Sequence, residues 1–265
     1  MSDTLSHDGF TLVSDFFFHQ SGIRLKGEKK PLVIGRLARR AALMGCSLDE
    51  YVRHVTGNPV GEEAVVLTDL LTTNETYFFR EPQHFDHLVQ AIRTTNSVPF
   101  RVWSAASSSG EEGYTIAITL ARHSGTRPWE VVGTDLSTRM VQQARQGLYV
   151  ADRCAKVPPE DLKRWCLRGE GQYQGQVLMS KELRSKVRFE EGNLMEPMSW
   201  LGQFDVIFLR NVLIYFEGEA KAQVVHNVLQ NLRKGGYFYT GHAESLQGID
   251  HGLERVAPAI FRRVS

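Results

Sequence analysis

From Val98 onward, short apolar runs alternate with helical patterns: FRVWSAA (100–106), GYTIAITLARH (113–123), WEVVGTDL (129–136) and STRMVQQARQGLY (137–149). The alternation resumes with VRFEEGN (187–193), FDVIFLRN (204–211), a helix over 217–233 and GYFYTGH (236–242). No other feature constrains the fold so tightly. Unbroken apolar runs suit strands covered on both faces, and strand–helix–strand repetition builds a parallel sheet flanked by helices. The final GLERVAPAIFRRV (252–264) reads as two short strands, antiparallel at the sheet edge.

The first ninety residues have a different texture and read as helices. Phe10, Val13, Phe16 and Phe17 form one helical stripe that Gly22 ends. Pro31 suits the first turn of the next helix and Gly45 the position after its last. Ser47 with Glu50 forms a capping box, and residues 62–71 and 82–93 complete the set. The expected organisation is a helical domain over 1–75, a linker and bridging helix over 76–97, and an α/β domain over 98–265.

One connection is too long for such a fold. Positions 150–186 span 37 residues, against about 2–6 for an ordinary helix-to-strand link. RWCLRGEGQYQGQVLMS (164–180) holds two strand-like runs around a glycine-rich turn. A small inserted antiparallel β-subdomain at about 160–187 is expected, and a long insertion is a candidate partner site.

Composition excludes several classes. Thirty-one basic and 30 acidic residues leave a formal charge of +1, which disfavours a general polyanion binder. Cys46, Cys154 and Cys166 lack CxxC spacing, which suits reduced thiols rather than a disulfide framework or zinc site. MSDTLSHDGF (1–10) lacks the features of a secretory signal, and no apolar run reaches membrane-spanning length. A cytoplasmic protein without membrane insertion is expected.

The candidate chemistry gathers at strand ends. SSSGEEGY (107–114) brings small residues to the carboxyl end of the first strand, where open α/β sheets bind ligands. It is neither GxGxxG nor a P-loop. Glu112 stands where a phosphate would sit, so the turn repels phosphate and welcomes an ammonium group; the plain alternative is a tight turn with two solvated glutamates. Asp135 ends the second strand, somewhat over twenty positions on, where an acid can accept from a ribose diol. Asn193 and Leu194 follow the next strand and suit an adenine edge and ring, although Asn193 alone reads as a turn residue. Asn211 ends FDVIFLRN, and Tyr215 follows one helical turn later. Four strand ends therefore suit a nucleoside bearing an ammonium group, a description that fits S-adenosylmethionine better than NAD or ATP. His84 and His87 have i, i+3 spacing on a helix, but no Cys or acid is expected to complete a metal set. They read as surface histidines, and no metal is expected.

NETYFFRE (74–81), residues 101–120, GTDLSTRMVQQARQGLY (133–149), GNLME (192–196), FLRNVLIYF (208–216) and GHAESL (241–246) together resemble the chemotaxis receptor methyltransferases, the CheR family. The ordered set covers nearly the whole chain. The resemblance implies a class I, Rossmann-like S-adenosylmethionine-dependent methyltransferase domain, a helical N-terminal domain and the inserted β-subdomain. It implies a protein-glutamate O-methyltransferase that converts receptor glutamates to γ-methyl esters in sensory adaptation and releases S-adenosyl-L-homocysteine. By the same resemblance Asn74, Thr76, Arg80, Glu112, Asp135, Asn193, Leu194, Arg210 and Asn211 contact the cofactor. Arg80 and Tyr215 stand nearest the transferring methyl, as catalytic residues. His242 and Glu244 match the family's GHxE segment, with a structural or a catalytic role.

Two further patches face partners. Arg36, Arg39 and Arg40 gather on one side of the second helix with no acid beside them. The family uses a basic helix here to grip the acidic helical bundle of the receptor's cytoplasmic rod. RGEGQYQG resembles the family's β-subdomain, and the spacing of Gly169, Gly171 and Gly175 matches members that bind a receptor's C-terminal tail as an added strand. Both contacts would recruit the enzyme to membrane receptor arrays. A nucleic-acid methyltransferase and a non-catalytic receptor-binding module are the alternatives. The absence of an NPPY-type motif disfavours the first, and the intact Arg80, Glu112, Asp135 and Tyr215 disfavour the second.

Overall fold

A computed structural model describes residues 4–264. The chain divides into two compact units, one reaching Thr73 and including Tyr215–Ala220, the other formed by Asn74–Ile214 and the residues from Lys221 onward.

The first unit is built on four helices, α1 (His7–Ser21), α2 (Lys30–Leu43), α3 (Leu48–Thr56) and α4 (Glu62–Leu71). Their boundaries follow local chemistry. Ser6 accepts from the Gly9 N–H at the start of α1, and Gly22 ends it in the left-handed region. Ser47 and Glu50 form the reciprocal capping box expected of them. Phe10, Val13, Phe16 and Phe17 of α1 pack with Val33 and Leu37, Tyr51 and Val55, and Leu67 and Leu71 in one core. Lys26 pairs with Glu217 at 2.6 Å.

The basic helix departs from expectation, because an acid does stand beside it. Glu63 of α4 takes a two-point ion pair from Arg40, with Arg40 Nε 2.7 Å from Glu63 Oε1, and also accepts from the Tyr51 hydroxyl at 2.8 Å. Arg36 turns to the end of α4 and donates to the carbonyls of Leu71 (2.6 Å) and Thr72 (3.0 Å). Arg39 is the exposed member of the three. Spacing along α2 could not reveal that α4 supplies these partners.

The second unit runs α5 (Gln83–Thr94), β1 (Phe100–Ala105), α6 (Glu111–His123), β2 (Trp129–Asp135), α7 (Thr138–Gln146), β3 (Leu148–Val150), α8 (Pro159–Trp165), β4 (Cys166–Arg168), β5 (Gln176–Met179), α9 (Lys181–Arg184), β6 (Val187–Glu191), β7 (Phe204–Leu209), α10 (Gly218–Leu229), β8 (Leu232–Thr240), β9 (Leu253–Ala257) and β10 (Ile260–Arg263). The seven-stranded sheet has the order β6-β2-β1-β7-β8-β10-β9. The first five strands are parallel, and β10 inserts antiparallel between β8 and β9. Val102 aligns with Val131 on one side and Val206 on the other, so the centre of the sheet is apolar on each strand. Ile116, Ala117 and Leu120 of α6 cover it. This is the class I methyltransferase architecture expected from the sequence.

Two boundaries differ from expectation. The helix expected over 217–233 ends at Leu229, because Asn231 is buried and its amide donates to the carbonyls of Met198 (3.0 Å) and Gly202 (2.7 Å). The chain leaves the helix there, and Leu232 pairs with Phe204. The small sheet has three antiparallel strands in the order β3-β5-β4, and β3 lies upstream of the expected 160–187 insertion. Gly147 ends α7 in a left-handed turn and the strand begins at the next residue. In the loop between β4 and β5, a Cβ on Gly169 would lie 2.0 Å from the Tyr173 carbonyl oxygen, so only glycine fits. Gly171 and Gly175 sit in the same loop with positive φ. Cys46, Cys154 and Cys166 are free thiols. Among the described residues, no helix is long and apolar enough to cross a membrane.

Candidate active site

Strands β6, β2, β1 and β7 are neighbours and parallel, so their carboxyl ends open on one edge of the sheet. The chain leaving β1 is held hard there. Ser107 N–H donates to the Thr134 carbonyl, and Ser108 N–H donates 2.8 Å to Asp135 Oδ2. Asp135 Oδ1 accepts from Ser137 N–H at 2.9 Å. Asp135 thus locks the β1 and β2 turns together while ending its strand with its side chain nearly buried. Gly110 begins α6 at φ +95, where a Cβ would lie 2.8 Å from Ala144 Cβ. A side chain there would be both strained and crowded.

Backbone strain concentrates at this edge. Six described non-glycine residues have positive φ, and five of them are Phe79, Glu81, Ala106, Ser108 and Asn211. Each costs on the order of 1–3 kcal/mol, and such strain clusters where a ligand geometry is imposed.

Neither glutamate after Gly110 is solvated. Glu111 is fully buried, accepts from Ser109 Oγ at 2.7 Å and pairs with Arg153. Glu112 accepts from Ser104 Oγ at 2.7 Å and from Arg210 Nη1 at 3.1 Å. Burial pushes its carboxyl above the ordinary glutamate value, with Arg210 pulling the other way. A buried acid already holding one cation is a ready counter-charge for a ligand ammonium.

Arg210 is the centre of the network. Its side chain is 1% exposed and bridges Glu112 and Glu81, each at 3.1 Å, while donating to the Arg80 carbonyl. Its guanidinium lies 5.6 Å from the Phe85 ring centroid and 5.8 Å from that of Phe208. Burial works to raise the Glu81 carboxyl, but Arg210, the Asn211 amide and the His242 N–H outweigh it and hold it below the usual range. The neighbouring Asn211 loop is pinned from downstream. Glu244 accepts from the N–H groups of Asn211 (2.8 Å), Leu213 (2.7 Å) and Gly241 (2.5 Å), which gives it a structural role.

The remaining candidates are placed as follows. The Asn74 carbonyl accepts from Ser108 Oγ at 2.9 Å, and the Thr76 carbonyl accepts from Arg153 at 3.1 Å. Both residues line a cavity of about 360 Å³ with Tyr77, Asp152, Arg153 and Lys156. Arg80 donates to the Glu75 carbonyl at 3.1 Å, and its guanidinium lies 5.5 Å from the Tyr77 ring centroid. Asn193 Oδ1 accepts from Met195 N–H at 3.0 Å, the turn geometry weighed against an adenine contact, and Leu194 is buried after β6. Tyr215 ends a short turn after β7 and groups with the helical unit.

The histidines correct the sequence reading. His84 is fully buried, stacked on Tyr239 with ring centroids 5.5 Å apart, and His87 Nδ1 lies 2.8 Å from the Tyr239 hydroxyl. An acid does approach His84: Glu81 Oε2 lies 3.4 Å from its Nδ1. Glu81, Ser104 and Glu111 with Arg153 were not among the site residues expected from the sequence. Glu81 stood inside NETYFFRE, but Arg210 and Asn211, which bond to it, lie more than 120 positions away.

Comparison with known proteins agrees with this architecture. The family model described as "CheR methyltransferase, SAM binding domain" matches residues 74–259, and "CheR methyltransferase, all-alpha domain" matches 8–72. The chain is 37% identical over 262 residues to Chemotaxis protein methyltransferase 2 of Pseudomonas aeruginosa, covering 97% of this chain and 93% of that protein. It is 36% identical to the Chemotaxis protein methyltransferase of Salmonella typhimurium, covering 92% of this chain and 86% of that protein. The Escherichia coli protein of the same name is 35% identical, over 93% of this chain and 87% of that protein.

Proposed function

The chain belongs to the CheR methyltransferase family, and from that premise we propose that it methylates specific glutamate side chains of chemoreceptors, giving γ-glutamyl methyl esters. It is a methyltransferase with S-adenosylmethionine as its cofactor. The residues at the sheet edge suit that cofactor. Glu112 offers a buried carboxylate for an ammonium, and Asp135 offers acceptor oxygens beside the β1 turn. In this reading Glu112 takes the methionine amino group and Asp135 the ribose. Asn193 and Leu194 stand by the adenine, with Asn74, Thr76, Arg80 and Asn211 completing the cradle. Arg210, already engaged by Glu81, Glu112 and the Arg80 carbonyl, serves by orienting Glu112.

When bound, the cofactor supplies a sulfonium methyl that is already activated. The protein's task is alignment and exclusion of water. A substrate glutamate is ionised at neutral pH, its reference pKa being about 4.3, so no general base is required. Arg80 holds a carboxylate through its planar fork, and Tyr215 positions the acceptor. The observation that carries this reading is the Ser104–Glu112–Arg210 arrangement, a charged cradle at the first strand-to-helix turn.

Recruitment rests on the two partner patches. Arg39, exposed on α2, is the foremost contact for an acidic receptor bundle, with Arg36 and Arg40 shaping the helix beneath it. A receptor tail would add to an edge of the small sheet, beside the Gly169–Gly175 loop. Such a tether raises the enzyme's effective concentration near its substrate sites.

The test is transfer of labelled methyl to chemoreceptor-containing membranes, followed by mild alkali. A carboxyl methyl ester releases volatile methanol. Volatile label abolished by Arg80→Ala supports the proposal; label that resists alkali points to a nitrogen acceptor and refutes it.

A further inference from the structure

Behind the Arg210 network lies a second constellation. Glu81, His84 and His242 each offer one ligand-type atom, and those atoms all lie within 4.8 Å of one another. His84 is 0% exposed, and among the described residues neither of its ring nitrogens has a hydrogen-bond partner. A buried imidazole without a hydrogen bond is rare and calls for an explanation. Burial and then the Arg210 charge push its pKa down to about 3, so the ring is neutral and one of its nitrogens carries a free lone pair.

We propose that Glu81, His84 and His242 form a binding site for a zinc-type divalent cation, with a fourth position open to solvent. Two nitrogens and one carboxylate oxygen are a set that suits zinc. On a tetrahedral zinc, neighbouring ligand atoms stand about 3.3 Å apart. Glu81 Oε2 and His84 Nδ1 already lie at 3.4 Å. His242 is exposed, its ring centroid is 5.0 Å from that of His84, and it lines an open cleft of about 730 Å³, so it can close the set by side-chain rotation. The site has a regulatory consequence. Glu81 is also the partner of Arg210, which holds Glu112. A cation that claims Glu81 places positive charge beside Arg210 and loosens its grip, and on the reading of Glu112 given above this weakens cofactor binding.

The experiment is titration of the full chain with cobalt(II), a visible-absorbing stand-in for zinc. The expected result is d–d bands saturating at one equivalent, displaced by zinc, without the thiolate charge-transfer band that binding at a cysteine would give. Glu81→Gln and His242→Ala should each weaken binding by more than about tenfold. His242 is exposed, so its replacement keeps the test valid even if a variant at buried His84 fails to fold. No bands, bands with thiolate character, or bands unchanged in His242→Ala would overturn the site. Metal binding is read by absorbance alone, so its failure is distinct from failure of the methylation reading. Zinc that binds without changing cofactor affinity would overturn the regulatory coupling.

Discussion

Arg210 Nη1 stands 3.1 Å from Glu112 Oε2, and the same guanidinium reaches Glu81, so one buried cation holds an acid in the first turn of α6 and another in the loop before α5. Removing it leaves two largely buried carboxylates without their cation. Arg210→Met is expected to destabilise the protein by about 3–5 kcal/mol, with part recovered when Glu81→Gln and Glu112→Gln are added. Denaturant unfolding of the single and combined variants measures this. A single variant as stable as the parent would show that the pairs contribute nothing.

With Glu112 as the proposed partner of the ligand ammonium, its raised pKa is expected to give cofactor affinity an acid limb. In the free protein burial favours the protonated carboxyl, whereas an ammonium ligand requires the ionised one. Affinity should therefore fall as pH drops through the raised pKa and level off above it. Calorimetric titration with S-adenosyl-L-homocysteine across mildly acidic pH should show this limb, and Glu112→Gln should bind weakly with the limb gone. A limb that persists in the variant assigns it to another group.

Asp135 holds two backbone N–H groups, and an asparagine can accept from only one of them without reversing the other contact. Asp135→Asn is expected to cost about 1–3 kcal/mol of stability. A ribose role adds a larger loss of cofactor affinity, measurable under conditions where the variant is fully folded. Stability loss with unchanged affinity would leave Asp135 as a turn lock.

On α2 the three arginines should behave differently. Arg36→Ala removes donors from the carboxyl end of α4 and should lower stability by about 1.5–3 kcal/mol. Arg39→Glu should leave the melting temperature unchanged and weaken capture of a receptor cytoplasmic fragment, most at low salt. Capture unaffected by Arg39→Glu at every ionic strength would remove this contact.

What was legible in the sequence was local. Ser47 with Glu50, Gly22 after α1 and the apolar runs of β1, β2 and β7 each state their structure within a few residues. Glu112 and Asp135 were identifiable because strand ends are where such sheets bind ligands. The rest depends on partners far away in sequence. Glu63 cannot be assigned to Arg40 from spacing, nor Glu81 to Arg210, and the burial of His84 is set by Tyr239 on β8. The end of α10 was missed for the same reason: Asn231 is called out of the helix by carbonyls on the preceding loop.

Glu244 gathers three backbone N–H groups, two of them from the loop that carries Asn211. Every candidate cofactor residue precedes it in the chain. A ribosome thus finishes the proposed list of ligand-facing residues well before it delivers the acid that shapes their last loop. A chain halted just short of Glu244 would carry all those side chains while the N–H groups of Asn211 and Leu213 lacked their common acceptor. On the proposed site, the last ligand-facing loop therefore takes its shape from a residue translated after every side chain that would touch the cofactor.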